Sequence, residues 1–412
     1  MQGHIRKRGK GGTYEYIIDV GTAQAQRCRG CGRRFWVEQH ALKACPRCAG
    51  KLHQTEERRR QTKAGYASRK EAQTALNKVL VAVAERSYVA PSKATLGEFL
   101  TAQWLPAIEA TVRLTTYRSY VQHVDWHIVP HLGALPLQSL SGAQINALYA
   151  KLASCGRRGG KSGLSALTIR HVHAVLHRAL KDAVRWGVLG RNPIEAADPP
   201  RISHAREMKT WSAEQLEAFL AFTADERLHA LWQLLGLTGM RRGEACGLRW
   251  CDCDLEQGRV AIRRALVPIA HTVLVTEPKT ARGKRSIALD ERTVAVLRAH
   301  AARQLAEREC AKEWTETGLV FTRTDGRALP PNSVSRWFVR SVERAKLPAI
   351  RLHDLRHSHA TLALRAGIHP KVVSERLGHA TVAITLDTYS HAIPAMQEEA
   401  ATRIAELVFV GK

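Results

Sequence analysis

Between residues 190 and 210 the chain loses all periodicity. Pro193, Pro199 and Pro200 fall there among alanines and arginines, and no apolar residue recurs at a helical or strand interval. Such a stretch reads as a linker, so the residues on either side must bury separate cores. A chain of 412 residues has room for two to three domains. The two sides also differ in kind, because apolar spacing before the linker is mostly helical, whereas after it helices alternate with short strand-like runs.

Residues 95 to about 190 predict four helices. Thr95 can cap the first, which carries Leu96, Phe99, Leu100, Trp104 and Leu105. Thr116 can cap the second, with Tyr117, Tyr120, Val121, Val124 and Ile128 on one face and a stop near Pro130. The third follows Ser141. The fourth spans about Ser165 to Trp186, with Gly187 as its stop. From residue 211, Ser212 and Gln215 form a capping box, and Leu228 to Leu237 is an apolar helix. Arg259 to Leu266, His271 to Thr276 and Lys284 to Leu289 alternate like short antiparallel strands. Helices then continue to an amphipathic one near Ala395 to Val408, whose apolar face is Ile404, Leu407 and Val408.

Residues 1 to about 90 form a third region. A basic tip, Arg6 to Lys10, precedes a strand over Thr13 to Val20, and a helix from about Ser68 to Arg86 closes the region. Between them stand two CxxC pairs, Cys28/Cys31 and Cys45/Cys48, thirteen residues apart, followed by a basic polar stretch around Arg58, Arg59 and Arg60. Four thiolates at this spacing suit one tetrahedral structural Zn²⁺ in a zinc-ribbon-like insert over about 26–52. A closed four-Cys site has no open position for chemistry. Cys251 and Cys253 form a lone CxC in a turn, which is more often incidental.

Charge narrows the partner. Lys plus Arg number 63 against 37 for Asp plus Glu, a formal net charge of +26. Self-repulsion of that size asks for a polyanion, and nucleic acid is the first candidate. A membrane surface is disfavoured, because no apolar run approaches the roughly 18 residues of a spanning helix and the basic residues are spread along the whole chain. The basic N-terminus lacks the apolar stretch of a signal peptide, and nine cysteines without one argue against a disulfide framework. A soluble cytoplasmic protein is expected.

The polar residues of 211–412 supply the chemistry that metal-independent phosphodiester exchange needs. Arg241 follows Gly239 at a helix corner, where it can turn inward or lie with Arg242 as a surface pair. His353 and Arg356 stand at i, i+3, so a helix would converge them on one anion or leave them as a solvated face. Lys279 lies between two predicted strands, where a hairpin lysine can reach into a site as a mobile proton donor. His379 follows a helix stop at Gly378, and Tyr389 lies ten residues on. A transition state with charge on non-bridging oxygens calls for two guanidinium forks, a nucleophile that conserves bond energy, a proton donor and a histidine. The set Arg241, Lys279, His353, Arg356, His379 and Tyr389 fills each role.

The segments TGMRRGEACGLRW (238–250), EPKTARGKRSIAL (277–289), HDLRHSHATLALRAG (353–367) and LGHATVAITLDTYSH (377–391) closely resemble, in order and spacing, the motifs of tyrosine recombinases of the phage-integrase type. The resemblance implies a site-specific DNA recombinase that works through a 3′-phosphotyrosine with no cofactor for catalysis. It implies that Arg241 and Arg356 clamp the scissile phosphate and that Lys279 protonates the 5′ oxygen. His353 would be general base or phosphate ligand, and His379 would bond a non-bridging oxygen. Tyr389 would be the nucleophile, and Glu244 would prop Arg241. The implied fold is multidomain, mainly α with α+β. It comprises a small arm-type DNA-binding domain (1–90), a helical, SAM-like core-binding domain (95–190) and a catalytic domain (207–412). The implied partners are double-stranded DNA attachment sites and a homotetramer on them, with a directionality factor or host DNA-bending protein as accessory. The C-terminal helix would dock on a neighbouring subunit or pack on its own domain. The competing readings are type IB topoisomerase-like activity and a zinc-bearing DNA-binding regulator with a dead catalytic domain.

Overall fold

A computed structural model describes residues 3–8, 12–37, 42–84, 88–157, 159, 162–202, 208–269, 272–277, 283–389, 401–402, 404–406 and 408–409. The chain divides into two compact units, Met1–Ser203 and His204–Lys412. No helix among the described residues is long and apolar enough to cross a membrane.

The first unit opens with an antiparallel sheet of β1 (Gly3–Arg8), β2 (Thr13–Cys28), β3 (Arg34–Trp36) and β4 (Leu52–Tyr66). The strand expected over residues 13–20 is the first half of β2, which continues past an irregularity at Asp19/Thr22 to Cys28. The basic stretch around Arg58 turns out to be part of β4. Next to it on β4, Glu57 takes bonds from Arg27 Nε (2.6 Å) on β2 and from Arg34 (3.0 Å) on β3. Opposite charges on neighbouring strands stabilise a pairing that an apolar pattern would not reveal. The helix Arg69–Ala84 lays Leu76 on Tyr16 and Ile18, with Ile5 and Val79 around them.

The second core of this unit belongs to a helical bundle. Thr95 caps its first helix through a full capping box with Glu98, and a π-helical turn over Phe99–Trp104 carries it on. The second helix starts at Leu114, behind Arg113, so Thr116 lies inside it and is not its cap. It also runs through Pro130 to Leu132. A π-helical turn over Val124–Ile128 precedes the short Val129–Leu132 segment, in which the proline occupies a first-turn position that needs no N–H. Gly142–Cys155 and Ala166–Arg185 complete the bundle, capped by Ser141 and Ser165 as their sequences predict. Trp104 donates its indole N–H to Asp182 (2.9 Å) inside this core.

The second unit is α+β. The capping box at Ser212 starts Ala213–Phe222, and the apolar helix is His229–Thr238. Trp211, Phe219, Trp232 and Phe338 interlock at its centre, with ring centroids 5.1–5.9 Å apart. The expected strand over 259–266 divides into β6 (Arg259–Ile262) and β7 (Ala265–Ile269). With β5 (Cys253–Asp254), β8 (Thr272–Thr276) and β9 (Arg285–Ala288) they form two ladders, β5-β6-β9 and β7-β8. β8 and β9 thus belong to different ladders, and Lys279, expected on the connection between them, lies outside the described residues. Up to residue 389, the described residues after the long Glu291–Cys310 form the helices Pro331–Arg344, Asp354–Arg365, Pro370–Leu377 and Val382–Tyr389. Part of the expected C-terminal helix, 395–400, 403 and 407, lies outside the described residues; Ile404 and Val408 are exposed.

Candidate active site and thiol cluster

Helix ends build the site. Gly239 ends His229–Thr238 in the left-handed conformation (φ +64°), and a Cβ there would meet Leu377 Cδ2 at 2.6 Å. Gly378 ends Pro370–Leu377 in the same way (φ +67°). These two turns expose backbone carbonyls with no intrahelical partner, the negative end of each helix. Arg356, 3% exposed, donates to both, reaching Gly239 O at 2.7 Å and Leu377 O at 2.8 Å. Arg241 donates to Gly378 O at 3.1 Å. The two guanidinium groups are thus tied to one pair of turns. Burial, with Arg241 nearby, pushes Arg356 down to about 9. A cation held under that penalty gains from an approaching anion.

Glu244 is 4% exposed and shares its carboxylate between two arginines. It accepts from the Arg241 backbone N–H (2.9 Å) and side chain (2.8 Å), and from Arg285 at 2.8 and 3.2 Å. Burial opposes its ionisation, but the bonds and charge of Arg285, joined by Arg241, outweigh it and hold the carboxyl below its usual range. Arg285 also donates to Arg376 O (2.6 Å) and Gly283 O (3.2 Å). It therefore connects β9, the strand that receives the Lys279 segment, to the prop of Arg241. Arg285 stands in the motif quoted above, yet its role was not legible, because its partner lies 41 residues away in sequence.

His353 precedes Asp354–Arg365, and Arg356 occupies that helix's first turn. Burial, with His357 and Arg356 close by, brings His353 down to about 4. His379 is also held at about 4, by burial and then by Arg356 and Arg241. Its Nδ1 lies 2.8 Å from Thr385 Oγ1, and its ring stacks parallel to Tyr389 at 6.5 Å. Tyr389 closes the last described helix of this region. Its ring is 1% exposed among Ala360, Ala363, Leu364, Val373 and Leu377. Burial raises its phenol, and Arg356 partly offsets that. The Tyr389 hydroxyl meets His357 Nδ1 at 2.9 Å, a partner the sequence did not single out. Lys279 lies outside the described residues. The rest of the expected set, Arg241, Glu244, His353, Arg356, His379 and Tyr389, gathers around one pair of turns.

A separate cluster occupies the tip of the β2–β4 hairpin, where Cys28 pairs with Leu52. The four sulfurs of Cys28, Cys31, Cys45 and Cys48 lie within 4.8 Å of one another. Cys28 and Cys48 Sγ are 3.4 Å apart, and Cys31 and Cys45 Sγ 3.6 Å. Tetrahedral thiolates around one ion stand about 3.8 Å apart, given metal–sulfur bonds of roughly 2.3 Å. Backbone N–H groups of Gly30 (3.3 Å) and Cys31 (3.5 Å) donate to Cys28 Sγ. A Cβ on Gly50 would meet Cys28 Sγ at 3.1 Å, so the turn is shaped to the sulfurs. The donor set fits a metal ion.

Residues 209–396 match the model of the phage integrase family, and 95–153 match that of a phage integrase N-terminal SAM-like domain. An integrase of Mycobacterium phage FRAT1 is 30% identical over 328 residues, covering 79% of this chain and 92% of its own. The tyrosine recombinase XerC-like protein of Caldanaerobacter subterraneus subsp. tengcongensis is 26% identical over 332 residues, covering 76% and 83%. Among solved structures, the Tn1549 transposon integrase in complex with a circular intermediate DNA has the same fold, with a TM-score of 0.62, 21% identity, and coverage of 76% of this chain and all of that one. The motifs, the gathered side chains and these likenesses agree, and the chain belongs to the phage integrase family of tyrosine recombinases.

Proposed function

We propose that this recombinase cuts and rejoins DNA at specific sites through a 3′-phosphotyrosine on Tyr389. The observation that carries the reading is the convergence of Arg241 and Arg356 on the turns at Gly239 and Gly378, beside a buried Tyr389. Two fixed guanidinium groups would stabilise the charge that develops on the non-bridging oxygens. Glu244, itself held by Arg285, keeps Arg241 aimed. His379 and His353, uncharged at neutral pH, supply hydrogen bonds to the phosphate. Lys279 protonates the departing 5′ oxygen, and the same groups run in reverse for rejoining.

In this reading residues 1–90, 95–190 and 207–412 act as arm-binding, core-binding and catalytic domains on double-stranded DNA. The formal charge of +26 supplies the non-specific part of that affinity. Four copies assemble on two sites, with a directionality factor or host DNA-bending protein setting the outcome. Zn²⁺ at Cys28, Cys31, Cys45 and Cys48 pins the tip of the hairpin and takes no part in strand cleavage. Nicked duplexes carrying the ends of the host element test the reading. A covalent protein–DNA band in wild type and its absence in Tyr389→Phe support it. Tight DNA binding with no covalent band in either protein points instead to a DNA-binding regulator.

A further inference from the structure

His357 makes a contact that none of these roles uses. It stands in the first turn of Asp354–Arg365, one residue past Arg356 and one turn past His353. Its Nδ1 lies 2.9 Å from the hydroxyl of Tyr389, and the two ring centroids are 5.7 Å apart. Among the described residues the phenol bonds to His357 and not to His353, whose ring stands edge-on to that of His357 at 5.0 Å. The Tyr389 ring is enclosed by Ala360, Ala363, Leu364, Val373 and Leu377, so its hydroxyl has a fixed direction.

We propose that His357 is the proton acceptor for Tyr389 during strand cleavage, an inference that rests on Tyr389 being the nucleophile. A buried phenol is protonated at neutral pH and is a weak nucleophile until its proton has somewhere to go. The charged and titratable groups around His357 are His353, Asp354, Arg351, Arg356, His379 and Tyr389. Burial favours the neutral ring; Asp354 opposes that effect, while Arg356 and Arg351 add to it. With its N–H on Nε2, the neutral imidazole presents a lone pair at Nδ1 to the phenol.

The step balances without a co-reactant. The Tyr389 O–H proton passes to Nδ1 as the oxygen forms its bond to phosphorus. The bond from phosphorus to the 5′ oxygen breaks, and that oxygen takes a proton from the general acid. On rejoining, the 5′ hydroxyl attacks, the bond to Tyr389 breaks, and the His357 proton returns to the phenolate.

Single-turnover cleavage of a nicked duplex carrying the host element's junction sequences tests this in the full-length protein. A general base contributes about 10²- to 10⁴-fold, so His357→Ala is expected to cleave at least about 100-fold slower with DNA affinity retained. His357→Asn, which keeps a polar atom near the Nδ1 position but cannot take a proton, should be comparably slow and guards against loss of fold. A duplex with sulfur in place of the bridging 5′ oxygen separates acid from base, because its leaving group needs no proton. On that substrate Lys279→Ala should recover, whereas both His357 variants stay slow. Wild-type rates in either His357 variant on the oxygen substrate, or their recovery on the sulfur substrate, would overturn the role. Absence of an adduct in wild type would instead overturn the assignment of Tyr389 itself.

Discussion

The Glu244–Arg285 pair is where the site is most exposed to a single change. Both partners are buried, Glu244 at 4% and the Arg285 side chain at 7% exposure, whereas the Arg241 side chain keeps 42%. Glu244→Ala therefore strands Arg285 as an uncompensated buried cation, and breaking a buried pair from one side costs about 3–5 kcal/mol. Arg285→Ala leaves Glu244 still bonded to Arg241, so its cost should be smaller, roughly 2–3 kcal/mol. The double variant removes both charges and should cost well under the sum, with a coupling energy on the order of 2 kcal/mol. Urea unfolding followed by tryptophan fluorescence measures the cycle, since Trp211 and Trp232 lie in the same unit's core. The pH dependence carries a sign. The Glu244 carboxyl is held below its usual range, so the pair's stabilisation is present above the unfolded carboxylate pKa of about 4.3 and is lost as pH falls through the folded value. Additivity of the two single changes to within about 0.5 kcal/mol would refute the account of Glu244 as a shared counter-ion.

Other consequences follow from the same geometry. Gly239→Ala forces a Cβ into Leu377 and His359 at a left-handed position and disturbs the carbonyl that holds Arg356; it should cost at least about 1–2 kcal/mol of stability and slow cleavage, read by thermal melting and adduct formation. His353 and His379, both at about 4, should make stability fall as pH drops from about 6.5 towards 4, with their ring resonances titrating near 4 by NMR. Purified protein should contain one zinc per chain, lost together with amide-exchange protection of the β2–β4 tip in Cys28→Ser, while adduct formation on a core site persists.

Legibility in the sequence followed the range of each interaction. The candidate site residues are legible because their spacing is local: His353 and Arg356 open one helix, and Arg241 follows the glycine that ends another. The four cysteines were found for the same reason. The flanks of the insert were less legible: the outer ends of β2 and β4 pair on either side of it, with Arg27 and Arg34 bonded to Glu57, and such ion pairs leave no apolar rhythm to detect. The break between β6 and β7 was missed because Arg263 and Arg264 turn the chain towards buried Asp252, some distance back in sequence. Arg285 and His357 escaped notice although both lie in the quoted motifs. Their partners, Glu244 and Tyr389, are 41 and 32 residues away, and only packing brings them together.

The central claim is that Tyr389 forms the covalent bond to DNA. The most direct measurement is to trap wild-type protein on a nicked duplex, digest the adduct with nuclease and protease, and locate the nucleotide by mass spectrometry. The account predicts a 3′-phosphonucleotide on the peptide that contains Tyr389. An adduct on any other residue, or one that persists in Tyr389→Phe, would contradict it.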